Sequence, residues 1–131
     1  MAKIVLADDE QQVRDMVAFK LKASGHQVLP ARDGGEAMTL VTAESPDLVI
    51  LDIMMPVLDG FEVLRRLKAD PALQAIPVII LSAKGREQDV LAGLRGGAVD
   101  YIVKPFSLKE LTGRVELALR KREPDPDTVA D

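Results

Sequence analysis

The sequence contains no cysteine and no tryptophan, and it has one histidine, His26, among its 131 residues. Without cysteine the chain has no disulfide, no thiolate zinc site and no thiol nucleophile. A catalytic Ser–His–Asp triad or a histidine metal cluster would have to be built around His26 alone. We expect His26 to be a solvated loop residue, because it lies in the turn before the second predicted strand.

Long apolar runs are also missing. No stretch approaches the roughly 20 consecutive apolar residues that a membrane-spanning helix needs. The amino terminus is apolar only from Ile4 to Ala7 and then turns acidic, unlike a secretion signal. The 17 basic and 21 acidic residues give a net charge of −4, whereas nucleic-acid-binding domains usually carry a basic face. We therefore expect a cytoplasmic protein without direct nucleic-acid or membrane partners.

Short apolar runs alternate along the chain with stretches of helical spacing. The predicted strands are Ile4–Ala7, Gln27–Leu29, Asp47–Leu51, Pro77–Leu81 and Val99–Val103. Repeated alternation of strand and helix predicts an α/β fold, with a doubly wound, five-stranded parallel sheet and helices on both faces. We expect one domain over residues 1–122, followed by an acidic, proline-containing tail or linker over residues 123–131.

Ionisable and hydroxyl groups collect at the carboxyl ends of the predicted strands. They are Asp8 and Asp9 after strand one, Asp52 after strand three, Ser82 after strand four and Lys104 after strand five. Ligand sites of open parallel sheets form outside these ends. Neighbouring carboxylates repel one another without a cation, and oxygen ligands suit Mg²⁺. A cation beside a lysine and a hydroxyl group indicates a phosphoryl site.

Four segments of the sequence resemble the receiver domain of bacterial two-component response regulators. They are Asp8-Asp9-Glu10, the segment 51–60 (LDIMMPVLDG), Ser82-Ala83 and the segment 101–106 (YIVKPF). Their order and spacing match that family, and the resemblance covers about residues 2–121. It implies a flavodoxin-like fold, similar to chemotaxis regulators, with strand order 2-1-3-4-5. It also implies a cis Lys104–Pro105 bond.

The resemblance implies roles for the acidic residues and the lysine. Asp52 is expected to be the phosphoacceptor, which receives its phosphoryl group from the phosphohistidine of a sensor histidine kinase. Asp9, Asp52 and the backbone carbonyl of Met54 are expected to bind Mg²⁺, while Asp8 acts mainly through water. Lys104 is expected to pair with the phosphoryl oxygens. The physics agrees, because phosphoryl transfer mainly requires placement and charge neutralisation.

Further residues are expected to switch the domain and to set the lifetime of its phosphorylated form. By resemblance, Ser82 hydrogen-bonds the phosphoryl group and Tyr101 is the switch aromatic that turns inward with it. Met54 and Lys84 match the positions that flank the approach of the hydrolytic water. Neither side chain supplies a general base, so we expect slow dephosphorylation.

The face formed by helix four, strand five and helix five is expected to contact a downstream output protein or domain. Its predicted residues are Val90, Leu91, Leu94, Asp100, Glu110 and Arg114. Asp100 and Arg114 match an intermolecular salt bridge of the transcription-factor branch of the family. Glu110 matches half of a second such pair, but its basic partner position is Val90. A homodimer on activation is therefore expected to be weaker or differently arranged.

Alternative functions are distinguished by a few residues. An aspartyl-phosphate phosphatase on a similar sheet would carry an acid two residues after its nucleophile, and Met54 in that position cannot do acid–base work. A flavin or nucleotide module would need a glycine- or hydroxyl-rich first loop, whereas residues 7–11 are acidic. A receiver-like interaction module that acts without phosphorylation is a third alternative. We expect a signalling switch that promotes its own phosphorylation, rather than a classical enzyme.

Overall fold

The computed structural model of the chain describes residues 1–122 and shows a five-stranded sheet between two layers of helices. The strands are β1 (Lys3–Ala7), β2 (Gln27–Ala31), β3 (Leu48–Leu51), β4 (Val78–Ser82) and β5 (Asp100–Val103). The helices are α1 (Gln11–Ala23), α2 (Gly34–Glu44), α3 (Gly60–Ala69), α4 (Glu87–Arg95) and α5 (Leu108–Arg122). None of these helices combines the length and the apolar content needed to cross a bilayer. The predicted tail, residues 123–131, lies outside the described residues.

The strand order is β2-β1-β3-β4-β5, and every neighbouring pair is parallel. This confirms the predicted fold class and strand order. β2 continues beyond its predicted end at Leu29, through Pro30 to Ala31. Proline is tolerated there because β2 is an edge strand, where a missing backbone N–H can face away from the ladder. The Lys104–Pro105 bond is cis, as the resemblance implies.

Alternating side chains of the strands fill two separate cores, one on each face of the sheet. The core under α1 and α5 contains the strand residues Ile4, Leu6, Leu48, Ile50, Ile79, Leu81 and Ile102. The core under α2, α3 and α4 contains the strand residues Val5, Ala7, Val49, Leu51, Val78, Ile80 and Tyr101. β1, β3 and β4 are covered on both faces and buried along nearly their whole length, which explains why they read as continuous apolar runs. The two cores fix the sheet and thereby the row of residues at its carboxyl edge.

The expectation of a solvated His26 is wrong. Its side chain is 7% exposed, and its Nδ1 accepts a hydrogen bond from the Ala2 N–H at 3.1 Å. Its Nε2 lies 2.7 Å from Glu116 Oε1 on α5. With an acceptor required at Nδ1, the neutral ring carries its proton on Nε2 and donates it to Glu116. His26 therefore connects the start of β1 to α5.

Candidate functional site

Backbone hydrogen bonds hold the polar strand ends in one row. The Asp52 N–H donates to the carbonyl of Ala7 at 2.9 Å and joins the end of β3 to β1. The Lys104 N–H donates to the carbonyl of Ser82 at 2.8 Å and joins the end of β5 to β4. These bonds extend the ladder of the sheet by one residue beyond each strand. The backbone that carries the predicted site residues is therefore part of the sheet framework.

The ammonium group of Lys104 lies among three carboxylates. Its Nζ is 2.8 Å from Asp8 Oδ2, 3.0 Å from Asp52 Oδ2 and 3.1 Å from Glu10 Oε1. Asp8 and Asp52 are 1% and 3% exposed, whereas Glu10 lies on the exposed rim. Burying a charge is costly unless it is paired, and Lys104 supplies that pairing. Three negative charges around one positive charge leave the site electronegative.

Burial and ion pairing shift the pKa values of two of these groups in opposite directions. Burial raises the pKa of Asp8 above its ordinary 3.8, although hydrogen bonds from Lys104 and from the Glu10 N–H oppose the rise. Burial alone would lower the pKa of Lys104, but hydrogen bonds to Asp8 and Asp52, together with their charges, raise it above its ordinary 10.5. Lys104 is therefore a fixed cation at neutral pH.

Four carboxylates provide oxygen donors at this edge of the sheet. One oxygen from each of Asp8, Asp9, Glu10 and Asp52 lies within 4.8 Å of the others. Hard oxygen donors of this kind fit Mg²⁺, which takes a few carboxylates and retains several waters. Within the described part of the chain, the ion pairs of Lys104 involve three of these acids and leave Asp9 out. Asp9 is therefore available as a metal ligand without first losing an ion pair.

The loop between β3 and α3 packs closely around Asp52. Asp59 caps α3, because its side chain accepts a hydrogen bond from the Glu62 N–H at 2.8 Å. The Gly60 N–H donates to the carbonyl of Ile53 at 2.9 Å. A Cβ at Gly60 would lie 2.3 Å from the carbonyl oxygen of Asp52, so only glycine lets α3 begin this close to the loop. The Asp-Gly pair of the motif thus places the helix against the candidate phosphoacceptor.

A cleft of about 530 Å³ opens beside Asp9. Met54 lines it from the β3–α3 loop, and Lys84 lines it from the β4–α4 loop. The Met54 N–H also donates to Asp52 Oδ1 at 3.1 Å. Both residues predicted to set the lifetime of the phosphorylated form therefore face the same open space.

The two predicted switch residues converge on the backbone of Lys84. Ser82 is fully buried, and its Oγ accepts a hydrogen bond from the Lys84 N–H at 3.3 Å. Tyr101 is 6% exposed, and its hydroxyl donates to the carbonyl of Lys84. Burial raises the pKa of the Tyr101 phenol above 10.0, and the charge of Asp89 acts in the same direction. The structure thus shows the ring in an inward position beneath α4.

Comparison with known proteins identifies the family. A family model of the response regulator receiver domain matches residues 4–116. The chain belongs to this family. The receiver domain of the Francisella response regulator 1452 is 34% identical, with 94% of this chain and 100% of that chain covered and a TM-score of 0.88. Phosphorylation and Mg²⁺ are typical of receiver domains.

Two further solved structures place the receiver domain in different settings. The chemotaxis protein CheY4 of Vibrio cholerae is 30% identical over 90% of this chain and 98% of that chain, with a TM-score of 0.84. NtrX from Brucella abortus is 34% identical over 92% of this chain but only 27% of that chain, with a TM-score of 0.85. The same domain therefore occurs both as nearly a whole chain and as one part of a longer chain.

The predicted partner face of the receiver domain is partly apolar. Leu91 and Leu94 on α4 are 38% and 42% exposed, while Val90 packs partly against the core. Their exposure leaves apolar surface available to a partner.

An ion pair within the chain occupies the charged part of this face. Arg114 Nη1 lies 2.7 Å from Asp100 Oδ1, and Arg114 Nη2 lies 3.6 Å from Glu110 Oε1. The resemblance implies that Asp100 and Arg114 pair between molecules, whereas here they pair within one chain. A dimer that used this pair would have to exchange an internal contact for an external one.

Two contacts of the receiver site are not indicated by the sequence motifs. Glu10 belongs to the acidic motif, but the motif gives no reason to expect its side chain to reach Lys104. Arg14 Nη1 donates to the backbone carbonyl of Asp8 at 2.7 Å and holds the loop before α1 in place. Both contacts depend on how this loop returns to the sheet, which a local pattern does not encode.

Proposed function

We propose that this receiver domain is a phosphorylation-dependent switch of a two-component system and that Asp52 is its phosphoacceptor. The observation that carries the proposal is the buried Asp52 carboxylate, with Oδ2 at 3.0 Å from the Lys104 ammonium and Oδ1 bound by the Met54 N–H. A carboxylate held beside a fixed cation at the open edge of a sheet is a suitable nucleophile for a phosphoryl group.

The reaction is phosphoryl transfer from the phosphohistidine of a sensor kinase. A carboxylate oxygen of Asp52 attacks phosphorus, the P–N bond breaks, and the imidazole of the kinase leaves as an acyl phosphate forms. Lys104 offsets part of the charge that the phosphoryl group brings into the site. Asp8, Asp9, Asp52 and the Met54 carbonyl would hold Mg²⁺, which when bound neutralises charge on the phosphoryl oxygens.

The switch couples the site to the face of α4, β5 and α5. Phosphorylation adds negative charge beside buried groups, and Ser82 supplies a hydroxyl that can donate to it. Tyr101, whose hydroxyl already donates to the Lys84 carbonyl, is then held in its inward position under α4 for a larger share of the time. The resulting population shift presents the partner face to an output protein or domain in the cytoplasm, or to a second copy of the chain.

Acetyl phosphate labelling tests the proposal. With Mg²⁺ present, the intact protein should gain one phosphoryl group, and Asp52→Asn should abolish the gain. Asp59→Asn is the matched control, because Asp59 is an exposed acid in the same loop. Excess chelator should stop the labelling.

Other results would contradict the assignment. Labelling that survives Asp52→Asn would place the phosphoryl group elsewhere. Release of phosphate over many rapid turnovers would favour the phosphatase alternative. Partner binding by a chain that cannot be labelled would favour an interaction module that acts without phosphorylation.

A further inference from the structure

Gly93 lies at the closest approach between α4 and the ring of Tyr101. It is buried in the second half of the helix. A Cβ at this position would lie 2.7 Å from Cδ1 of Ile80 and 2.9 Å and 3.2 Å from Cδ2 and Cε2 of the Tyr101 ring. Real Cβ atoms essentially never come within 3.0 Å of another heavy atom, so a methyl group at position 93 would force Ile80 and Tyr101 to move.

The backbone at this position does not itself require glycine. The glycines with positive φ among residues 1–122 are Gly25 and Gly97, and Gly93 is not one of them. Glycine is also less favourable than alanine inside a helix, because it loses more conformational freedom on folding. Glycine at position 93 therefore makes the helix less stable than alanine would. The close contact with the Tyr101 ring explains why a residue without a side chain is needed there.

We infer that Gly93 is a positioning residue, whose missing side chain leaves the space in which the Tyr101 ring lies buried under α4. Ile80 is fully buried in β4 and closes the space from the sheet side. The Lys84 carbonyl fixes the hydroxyl end of the ring. A methyl group at position 93 therefore pushes the ring toward solvent or lifts α4 from the sheet.

This inference goes beyond the proposed function. Only its consequence for switching rests on the proposed function. If Tyr101 is the switch aromatic, Gly93 sets how readily the ring adopts its inward position. The partner face on α4 and β5 then depends on a residue that contacts neither the phosphoryl group nor the partner.

The test is Gly93→Ala in the full chain, with no phosphoryl donor added. Tyr101 is the chain's one tyrosine and there is no tryptophan, so 3-fluorotyrosine labelling gives one fluorine signal and tyrosine fluorescence reports on one ring. We expect the fluorine shift to change and the acrylamide quenching constant to rise at least about twofold, as for a ring that moves from the interior to the surface. The phenol should also titrate closer to its ordinary pKa.

Gly113→Ala is the matched control. Gly113 lies in α5, and a Cβ there would meet no atom of residues 1–122 within 4 Å. The control makes the same chemical change in a helix without a new contact, so it should leave the tyrosine signals unchanged. Tyrosine signals in Gly93→Ala that match the wild type and this control would overturn the inference.

Two further variants keep the test decisive if Gly93→Ala does not fold. Ile80→Val combined with Gly93→Ala removes the 2.7 Å contact but keeps the contact with the ring, and the ring should still become accessible. In a background that carries both Tyr101→Ala and Ile80→Val, Gly93→Ala should no longer lower the melting temperature, because both obstacles are gone. A full loss of stability in that background would overturn the inference.

Beryllofluoride separates this inference from the proposed function. If phosphorylation and ring position are coupled, beryllofluoride should change the tyrosine signals of the wild type, whereas in Gly93→Ala the methyl group should keep the ring displaced with or without it. Wild-type tyrosine signals that ignore beryllofluoride, beside a displaced ring in Gly93→Ala, would leave the role of Gly93 standing and would contradict the coupling to Asp52.

Discussion

The excess of negative charge at the site predicts that removing Asp9 stabilises the fold when Mg²⁺ is absent. Four carboxylates have oxygens within 4.8 Å of one another, and Lys104 pairs with the three other than Asp9. Asp9→Asn therefore removes a charge without breaking an ion pair of Lys104 and with little change of shape. The free energy of unfolding should rise, because the folded state is relieved of repulsion that the unfolded chain does not have.

The magnitude follows from Coulomb's law. Two unit charges 4.8 Å apart repel by about 0.9 kcal/mol in bulk water and by about 3.5 kcal/mol at an effective dielectric constant of 20. Asp9 is exposed, so values near the lower end apply. Three repulsions, less the attraction of the Lys104 ammonium, leave about 1 to 3 kcal/mol in favour of Asp9→Asn.

Urea unfolding followed by circular dichroism measures this difference, first in chelator and then in excess Mg²⁺. Asp15→Asn on α1 is the control, because it removes an exposed charge outside the acidic group. In chelator, Asp9→Asn should be the more stable variant. Mg²⁺ should stabilise the wild type and Asp15→Asn but not Asp9→Asn. If Asp9→Asn is no more stable than Asp15→Asn in chelator, the acids are not under mutual repulsion and the reasoning fails.

Three more predictions concern residues around the site. Met54→Asn with Lys84→Glu should shorten the phosphoryl lifetime by placing polar and acceptor groups on the cleft; equal or slower decay after donor removal would contradict this. Val57→Gly should raise the free energy of unfolding by about 1 kcal/mol in a urea titration, because Val57 is 76% exposed and has a φ of 73°, which strains a β-branched residue. A lower urea midpoint for Val57→Gly would show that the Val57 backbone is not strained. Glu10→Gln should speed labelling by acetyl phosphate about fivefold, the effect of about 1 kcal/mol less repulsion toward an anion. A slower initial rate would show instead that Glu10 orients Lys104.

The arrangement of the site was largely predictable, because the topology turns strand ends into neighbours. Asp52 and Lys104 are 52 positions apart in sequence, yet the sheet brings their side chains to 3.0 Å. A series of apolar runs that end in polar residues is enough to predict that meeting. The contact of Glu10 with Lys104 and the burial of His26 were not predictable, since both depend on where loops return after leaving the sheet.

Two glycines near the end of α4 show the same difference between a role that the sequence predicts and a role that it does not. Gly97 has a φ of 110° and follows the helix, so its role at the carboxyl end can be expected from its position in the sequence. Gly93 lies inside the helix without such a φ, and its neighbour Tyr101 comes from another element. Packing across the interface between helix and sheet determines its role, and no local pattern carries that information.

α4 buries little apolar side-chain surface against the sheet. The domain therefore loses little buried apolar surface when α4 moves. Gly93 is the one buried residue of α4, whereas α3 buries Val63, Leu64 and Leu67. Burial of apolar surface contributes roughly 25 cal/mol per Å², and a glycine contributes almost no side-chain area. The packing of α4 on the sheet therefore gains little hydrophobic free energy. α4 can therefore shift on the sheet with little loss of buried apolar surface, while the two cores stay packed.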